Sequence, residues 1–373
     1  MAGIYIHIPF CKQRCYYCDF HFTTSLKNKD AIINAIIFEL ESRKTELNES
    51  IKTIYFGGGT PSILNTSDLE KILNAIYNNY RVISDPEITI EANPDDITLD
   101  KVKEIKQTPI NRFSVGIQSF HQKDLEFMNR AHNKVQADNC IPLIQDAGFN
   151  NITIDLIYGL PNQSKQEWIY NLNRTFELNI PHISAYALTV EEKTPLNALI
   201  RKGKYPNVSD EKAFDDFKIL IDKTKEQGFI QYEISNFGKK GYFSKHNSSY
   251  WQGEKYMGVG PSAHSFDGNS RRWNFANNKK YLENLLTDSY FETEKLSTKD
   301  RFNEYIMTGL RTIWGISLDK IEKEFGTIYS NELKRKISLY IDRGQMSVKG
   351  NVITISENAK FQTDGISADL FTE

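Results

Sequence analysis

Three observations predict an α/β protein wound on a parallel sheet. Short runs rich in Ile, Val, Tyr and Phe alternate with amphipathic stretches through the first two-thirds of the chain. The runs are apolar or mixed, as strands covered on both faces tend to be. Six strand–helix units follow in series, an order that yields either a doubly wound sheet or a barrel.

The strands are expected at 4–8 (IYIHI), 53–56 (TIYF), 87–91 (EITIE), 112–117 (RFSVGI), 151–157 (NITIDLI) and 182–188 (HISAYAL). Between the first two, residues 30–45 set Ile32, Ile33, Ile36, Ile37 and Leu40 on one helical face. Ser67 with Glu70 forms a capping-box pattern ahead of Leu69, Ile72, Leu73 and Ile76, and Ser164 with Glu167 repeats it ahead of Trp168, Leu172 and Phe176. A helix over 209–227 and a strand over 230–234 continue the series. Residues 238–275, rich in Gly, Ser and Asn, read as a long loop region, and loops of that length in a compact protein are usually functional. Helices over 318–325 and 331–343 and a hairpin around 349–351 give the C-terminal stretch a winged-helix-like pattern. The expected division is 1–200, 201–295 and 296–373, with the last unit covering the end of the sheet. A winged helix can also bind DNA, but the mixing of Asp319, Glu322 and Glu324 with Lys320 and Lys323 argues against it.

The 373 residues carry 46 Lys and Arg against 48 Asp and Glu, a balance that excludes general nucleic-acid binding through a basic surface. No apolar stretch is long enough to span a bilayer, and the N-terminus lacks the pattern of a secretory signal. Four cysteines cannot build a disulfide scaffold, so the cytoplasm is the expected compartment.

Three of those cysteines are crowded as Cys11-x3-Cys15-x2-Cys18, directly after the first strand. Two metal readings fit. One is zinc in a Cys3His site, with His21 or His7 as fourth ligand. The other is a [4Fe–4S] cluster on three thiolates, which leaves one iron open to a ligand. The C-x3-C-x2-C spacing, with the aromatic Tyr17 before the third cysteine, resembles the signature of the radical S-adenosylmethionine (SAM) superfamily. That resemblance implies SAM held through its amino and carboxylate groups on the open iron. An electron from the cluster then cleaves SAM to a 5′-deoxyadenosyl radical.

In a barrel or open α/β sheet the site lies at the C-terminal strand ends. Here those ends carry the Gly57-Gly58-Gly59-Thr60-Pro61 run, Glu91, Gln118 and Asp155, with Arg130 following the fourth strand. The glycines permit close backbone approach to a ligand, although a tight turn explains them equally well. An acid inside an apolar strand needs a partner, and Asp155 and Arg130 could simply pair. Four polar groups at successive ends favour a ligand, with Arg130 suited to a carboxylate. Asp155 or Glu91 suits ribose hydroxyls or an amino group.

Taken together, YIHIPFCKQRCYYCDF, YFGGGTPS, ITIEANP, RFSVGIQSF, Asp155 with IYGLP, and GVGPSAHS resemble the oxygen-independent coproporphyrinogen III oxidase group of the radical SAM superfamily. The resemblance implies a partial (β/α)6 TIM-like barrel, one [4Fe–4S] cluster and bound SAM. It assigns SAM contacts to Tyr5, Tyr17, Gly58, Gly59, Thr60, Glu91, Gln118, Arg130 and Asp155, with Ala187 and His264 as further contacts.

The group contains a decarboxylating dehydrogenase and a branch of heme chaperones, and three features favour the chaperones. The dehydrogenase has a further cysteine where this chain has Phe20. It carries a long arm before the cluster motif, where only ten residues precede Cys11 here. The chaperone motif H-N-x-x-Y-W is present as His246-Asn247-Ser248-Ser249-Tyr250-Trp251. A neutral His is a common axial heme ligand, and Tyr250 and Trp251 can pack on a macrocycle. The alternative is a surface loop burying its own aromatics. The expectation is a shallow heme site on the 238–275 loop, weakened in His246→Ala. Expected partners are heme, a heme-accepting protein such as a respiratory one, and a reductant. Docking at a membrane would be at most transient, since no amphipathic or polybasic anchor is visible.

Overall fold

The computed structural model describes residues 1–287 and 289–372. Strand β1 (Ala2–Ile8) leads through α1 (Lys29–Ser42) to β2 (Ile51–Gly58), α2 (Thr66–Asn79) and β3 (Val82–Ala92). Helix α3 (Leu99–Ile105), β4 (Arg112–Gln118), α4 (Gln122–Phe127), α5 (Lys134–Asp146), β5 (Ile152–Tyr158), α6 (Lys165–Glu177) and β6 (His182–Ala187) complete the repeating part. Then follow α7 (Pro195–Arg201), α8 (Asp210–Glu226), β7 (Ile230–Glu233), β8 (Asn236–Gly238), α9 (Lys245–Trp251), β9 (Tyr256–Val259), β10 (His264–Phe266) and β11 (Ser270–Asn274). The chain continues with α10 (Asn278–Asn284), β12 (Phe291–Lys295), α11 (Thr298–Leu310), β13 (Ile316–Ser317), α12 (Leu318–Phe325) and α13 (Thr327–Asp342). It ends with β14 (Met346–Lys349), β15 (Val352–Ile355) and α14 (Thr363–Asp369).

Strands β1 to β6 lie side by side in sequence order, all parallel. β9 joins β1 in parallel on its other side, and β10, β11 and β12 extend that flank antiparallel. β8 and β7 extend the opposite flank antiparallel. The twelve strands thus form one mixed sheet with β12 and β7 at its edges, and no pairing closes it among the described residues.

Side-chain alternation divides this sheet into two unlike faces. Ile4, Ile6, Ile8, Ile54, Phe56, Ile88, Ile90, Phe113, Val115, Ile154, Leu156 and Ile183 are buried in one apolar core with the inward faces of α1, α2, α5, α6 and α8. The other set is polar or aromatic: Tyr5 and His7 on β1, Thr53 and Tyr55 on β2, and Glu87 and Glu91 on β3. It continues with Arg112 and Ser114 on β4, Asp155 on β5 and His182 on β6. Burying hydrocarbon on one face leaves the other free for chemistry. We call this second face the inner face.

Helix starts follow the local capping chemistry. Ser164 and Glu167 form the capping box expected for α6. The box expected at Ser67 is displaced: α2 starts two residues earlier, capped by Asn65, whose side chain accepts from the Asp68 N–H. The 238–275 loop expectation also fails, because β9, β10, β11 and the short helix α9 occupy much of that segment. After residue 296 a separate core forms around Phe302, Ile306, Ile321, Leu333, Ile337 and Ile353, beside a three-stranded sheet ordered β13-β15-β14.

Candidate functional site

The loop after β1 carries the three cysteines. It is closed on itself by Cys11 N–H donating to the Thr23 carbonyl at 3.0 Å and Thr23 N–H donating to the Pro9 carbonyl at 2.9 Å. It is clamped to the segment after α4 by Tyr16 N–H on the Met128 carbonyl (3.0 Å) and by Asn129 Nδ2 on the Arg14 carbonyl (2.7 Å). Cys11, Cys15 and Cys18 are free thiols, each partly accessible. Thr60 Oγ1 donates to Cys11 Sγ at 3.4 Å and Arg130 Nη1 to Cys15 Sγ at 3.2 Å. Burial pushes the Cys11 thiol up to about 11 and the Cys18 thiol to about 12. Metal binding must therefore drive their ionisation.

Neither proposed histidine completes a zinc site. His7 is buried; its Nε2 donates to the His21 carbonyl at 2.9 Å, so Nδ1 accepts from the Tyr5 hydroxyl at 3.2 Å. His21 Nε2 lies 2.7 Å from Asn278 Oδ1. Among the described residues, no three His, Cys, Asp or Glu side chains are gathered as around a single ion. A three-thiolate cubane spreads its ligands over separate irons and leaves these histidines to their hydrogen bonds.

Next to the thiols, the inner face presents two carboxylates and a guanidinium. Glu91 accepts from the Tyr55 hydroxyl at 2.8 Å and from Gly58 N–H at 3.2 Å. Burial, opposed by the Tyr55 hydrogen bond and reinforced by nearby Asp155, raises its pKa to about 7. Asp155 accepts from Ser114 Oγ at 3.3 Å on both oxygens, and burial raises it to about 6 against the attraction of Arg112. Both acids keep a partly open face. Arg130 joins the cysteine loop to the strands: Nη2 donates to Asn93 Oδ1 at 2.6 Å and the Gly116 carbonyl at 2.9 Å, while Nη1 also reaches Tyr17 Oη at 3.3 Å. Among the described residues its Nε is buried without a partner, an orphan donor on a guanidinium that otherwise reaches Cys15 and Tyr17. Partly open acids and an unspent guanidinium donor beside three thiols fit a cluster-bound amino acid with ribose hydroxyls. The simple Asp155–Arg130 pair is not present as a hydrogen bond or ion pair; Asp155 uses Ser114 instead.

Other expected contacts fall into two groups. Gly58, Gly59 and Thr60 lie against the cysteine loop: Gly59 N–H donates to the Ile8 carbonyl and Thr60 N–H to the Phe10 carbonyl at 2.8 and 2.7 Å. Gly58 has φ +104°, and a Cβ there would run into the His7 ring. Packing against the protein, as much as approach to a ligand, explains the glycines. Gln118 ends β4 in the left-handed region at φ 64°, a strained placement for a non-glycine residue. Ala187 ends β6, half-buried. His264 is exposed on β10, stacked on Trp273 at 6.2 Å, and makes no hydrogen bond to Glu91, Arg130 or Asp155 among the described residues. Sequence reasoning missed Asn93, which also donates to Thr60 Oγ1 at 3.2 Å, and Tyr55. Both sit beside residues already singled out, and their position on the inner face was the available signal.

The 246–251 motif packs behind this site, and the expected shallow loop is not what forms. It folds as α9, and His246 is 1% exposed. Its Nδ1 is 2.8 Å from Thr53 Oγ1 and its Nε2 is 2.7 Å from Tyr250 Oη, so both nitrogens are engaged. Asn247 and Tyr250 are half-buried, and Trp251 stacks under the Arg311 guanidinium at 5.1 Å. A ring packed inside the fold cannot reach an axial position without α9 moving.

Burial also sets the acid response. His7, His132 and His246 are held neutral, pushed down from 6.5 to about 4, 3 and 3, and His182 is lowered too. The unfolded chain binds these protons first, so their contribution to stability is lost as pH falls below 6.5. Glu91 and Asp155, raised by burial, act in the opposite sense between their ordinary values and about 7. Four histidines outweigh two acids, so the urea midpoint should fall on going from pH 6.5 to 4.5. A flat or rising midpoint would contradict the buried neutral rings.

Comparison with known proteins agrees with this geometry. Residues 5–173 match the radical SAM superfamily. The heme chaperone HemW of Lactococcus lactis subsp. lactis is 34% identical over 373 residues, covering 97% of this chain and 98% of that protein. HemW of Escherichia coli K12 is 32% identical over 322 residues, covering 83% and 82%. The solved coproporphyrinogen III oxidase HemN from Escherichia coli, described as a radical SAM enzyme, shares the fold with TM-score 0.85 at 21% identity. It covers 100% of this chain and 90% of that one. Membership implies use of a [4Fe–4S] cluster and SAM, for which the donors above are available. With like proteins matching nearly end to end, the chain belongs to the radical SAM superfamily and, within it, to the family whose members are named heme chaperone HemW.

Proposed function

We propose that this protein binds heme and passes it to acceptor proteins, while Cys11, Cys15 and Cys18 hold a [4Fe–4S] cluster with SAM. The observation that carries the reading is the likeness to HemW proteins over 97% of the chain, which includes the C-terminal unit as well as the sheet. The bound cluster and SAM supply one-electron chemistry. Arg130 and Glu91 orient SAM, and the clamped cysteine loop keeps the thiolates in place.

Heme needs open space beside aromatic side chains, and the buried α9 does not offer it. A cavity of about 920 Å³ beside the cysteine loop does, lined by Cys18, Phe20, His21, Phe22, Arg14 and Lys193 among others. That is within the usual range for ligand sites, roughly 300–1,000 Å³. Phe20 is 69% exposed there, at the position where the dehydrogenase has its further cysteine. An aromatic side chain left in water beside a cavity suits a macrocycle, and Arg14 and Lys193 suit its propionates. Asp19, Glu191 and Glu192 also line the cavity, so the charge is mixed. The acceptor in this reading is a heme protein, for example a respiratory one at a membrane. Docking at its membrane is transient, and among the described residues no helix is long and apolar enough to cross one.

Titrating heme into the anaerobically purified, cluster-loaded protein tests the reading. Saturation at one heme per chain is expected, with at least tenfold weaker binding in a Phe20→Ser, His21→Ala double variant. With SAM and reductant, coproporphyrinogen III should remain unconverted. Formation of protoporphyrinogen, or absence of saturable heme binding, would overturn it.

A further inference from the structure

The most elaborate side-chain arrangement on the inner face, apart from the thiols, surrounds His246, and it leads to Glu91. The ring of His246 stacks on Tyr55 with centroids 4.9 Å apart and planes at 23°. Tyr5 lies beside both, stacked on Tyr55 at 6.1 Å and 25°. Tyr55 then donates its hydroxyl to Glu91 at 2.8 Å, and the second oxygen of Glu91 takes Gly58 N–H. One end of this chain is α9 and the other is the carboxylate beside the cysteine loop.

Each member is fixed from behind. The two ring nitrogens of His246 are held by Thr53 and Tyr250, so the ring cannot rotate without breaking a hydrogen bond. Room for the ring is made at Gly3, where a Cβ would stand 2.7 Å from Thr53 Oγ1 and 3.2 Å from the imidazole. The helix bearing it is anchored at its start: Lys245 and His246 N–H groups donate to the two oxygens of buried Glu87 at 3.1 and 3.0 Å. The Ser244 side chain caps it by accepting from Asn247 N–H. Backbone, hydroxyl and carboxylate thus determine where the imidazole lies, and the imidazole determines where Tyr55 lies.

We infer that His246 is a positioning residue for the SAM site: seated by α9, it holds Tyr55 so that the Tyr55 hydroxyl sets Glu91. A side chain needed only to fill space could be apolar; here two nitrogens are each given a hydroxyl partner and a glycine stands opposite the ring. A ring needed as a metal ligand would not spend both nitrogens on hydroxyls. Among the described residues Tyr55 is the only side chain that donates to Glu91, so a tilt of its ring moves the carboxylate's main hydrogen bond. The inference rests on Glu91 facing SAM and does not depend on the heme reading.

The test uses the full chain with its cluster reconstituted. SAM affinity is read from equilibrium binding and from the change SAM produces in the electron paramagnetic resonance spectrum of the reduced cluster. His246→Ala should weaken SAM binding about tenfold, as should Tyr55→Phe. Combining the two should add less than a further twofold, because both break the same chain. His246→Gln, which retains a donor and an acceptor but not the stacked ring, should fall between wild type and Ala, and it serves if Ala does not fold. Heme affinity should stay within twofold in the folded variants. Unchanged SAM affinity, or fully multiplying effects in the double variant, would overturn the relay. Lost heme binding with intact SAM affinity would also overturn it and return His246 to the role of ligand. If Glu91→Ala leaves SAM affinity unchanged, the assignment of Glu91 fails, which is separable from a failure of heme binding.

Discussion

Arg130→Ala should weaken SAM binding by ~30-fold or more and leave the cluster labile. The side chain donates to Cys15 Sγ, Tyr17 Oη, Asn93 Oδ1 and the Gly116 carbonyl. Truncating one member of a buried, charge-assisted set costs about 2–5 kcal/mol, and 1.4 kcal/mol is tenfold. Two consequences separate its roles. Removing the cation strips charge compensation from the thiolates, so iron content after gel filtration should drop. Removing the fork leaves Asn93 and the Gly116 carbonyl without their donor. Arg130→Lys restores the charge but not the fork. It should recover iron content while SAM affinity remains low. Recovery of both, or of neither, would show that charge and geometry do not divide in this way.

Glu39→Ala should destabilise the fold by about 3–5 kcal/mol, the cost of leaving a buried charge without its partner. Glu39 sits on α1 and is fully buried. It accepts from Arg43 Nη1 at 2.7 Å, from the Tyr281 hydroxyl at 2.6 Å, from Asn274 Nδ2 at 2.8 Å and from Gly260 N–H at 2.9 Å. Those partners come from the C-terminal cap of α1, α10, β11 and the turn after β9, so one carboxylate ties the antiparallel flank of the sheet to its first helix. Arg43 in turn donates to the Gly258 carbonyl at 2.8 Å. Urea denaturation followed by far-ultraviolet circular dichroism measures the loss. A Glu39→Leu, Arg43→Met double variant should lose less than the two single substitutions added together, since it removes both charges. A loss under 1 kcal/mol for Glu39→Ala would mean that water replaces the carboxylate.

Much of the site was legible because its signals are local. The spacing of Cys11, Cys15 and Cys18 is a property of eight consecutive residues; Glu91 and Gln118 were marked by being polar at the ends of apolar runs, and Asp155 by being an acid inside one. Ser164 and Glu167 likewise act within one helical turn. The failures share a cause. Strands β9 to β11 have three to five residues each, too short to show periodicity. β9 takes its register from β1, more than 200 residues earlier in the chain, and β10 and β11 take theirs from β9 and from each other. Helix α9 has seven residues, too few to stand by its own propensity, and is held by Glu87 and by packing.

By itself, the sequence determined the parallel β/α order, the three thiols and the family, because hydrophobic period and ligand spacing are written along the chain. Tertiary structure alone decided the surroundings of each group. It joined Arg130 to Cys15 and Asn93, and it gave His7 and His21 hydrogen-bond partners in place of a zinc ion. It also turned His246 from an expected surface ligand into a buried ring behind Tyr55. Burial and hydrogen-bond partners depend on contacts between distant segments, and no local pattern of residues specifies them.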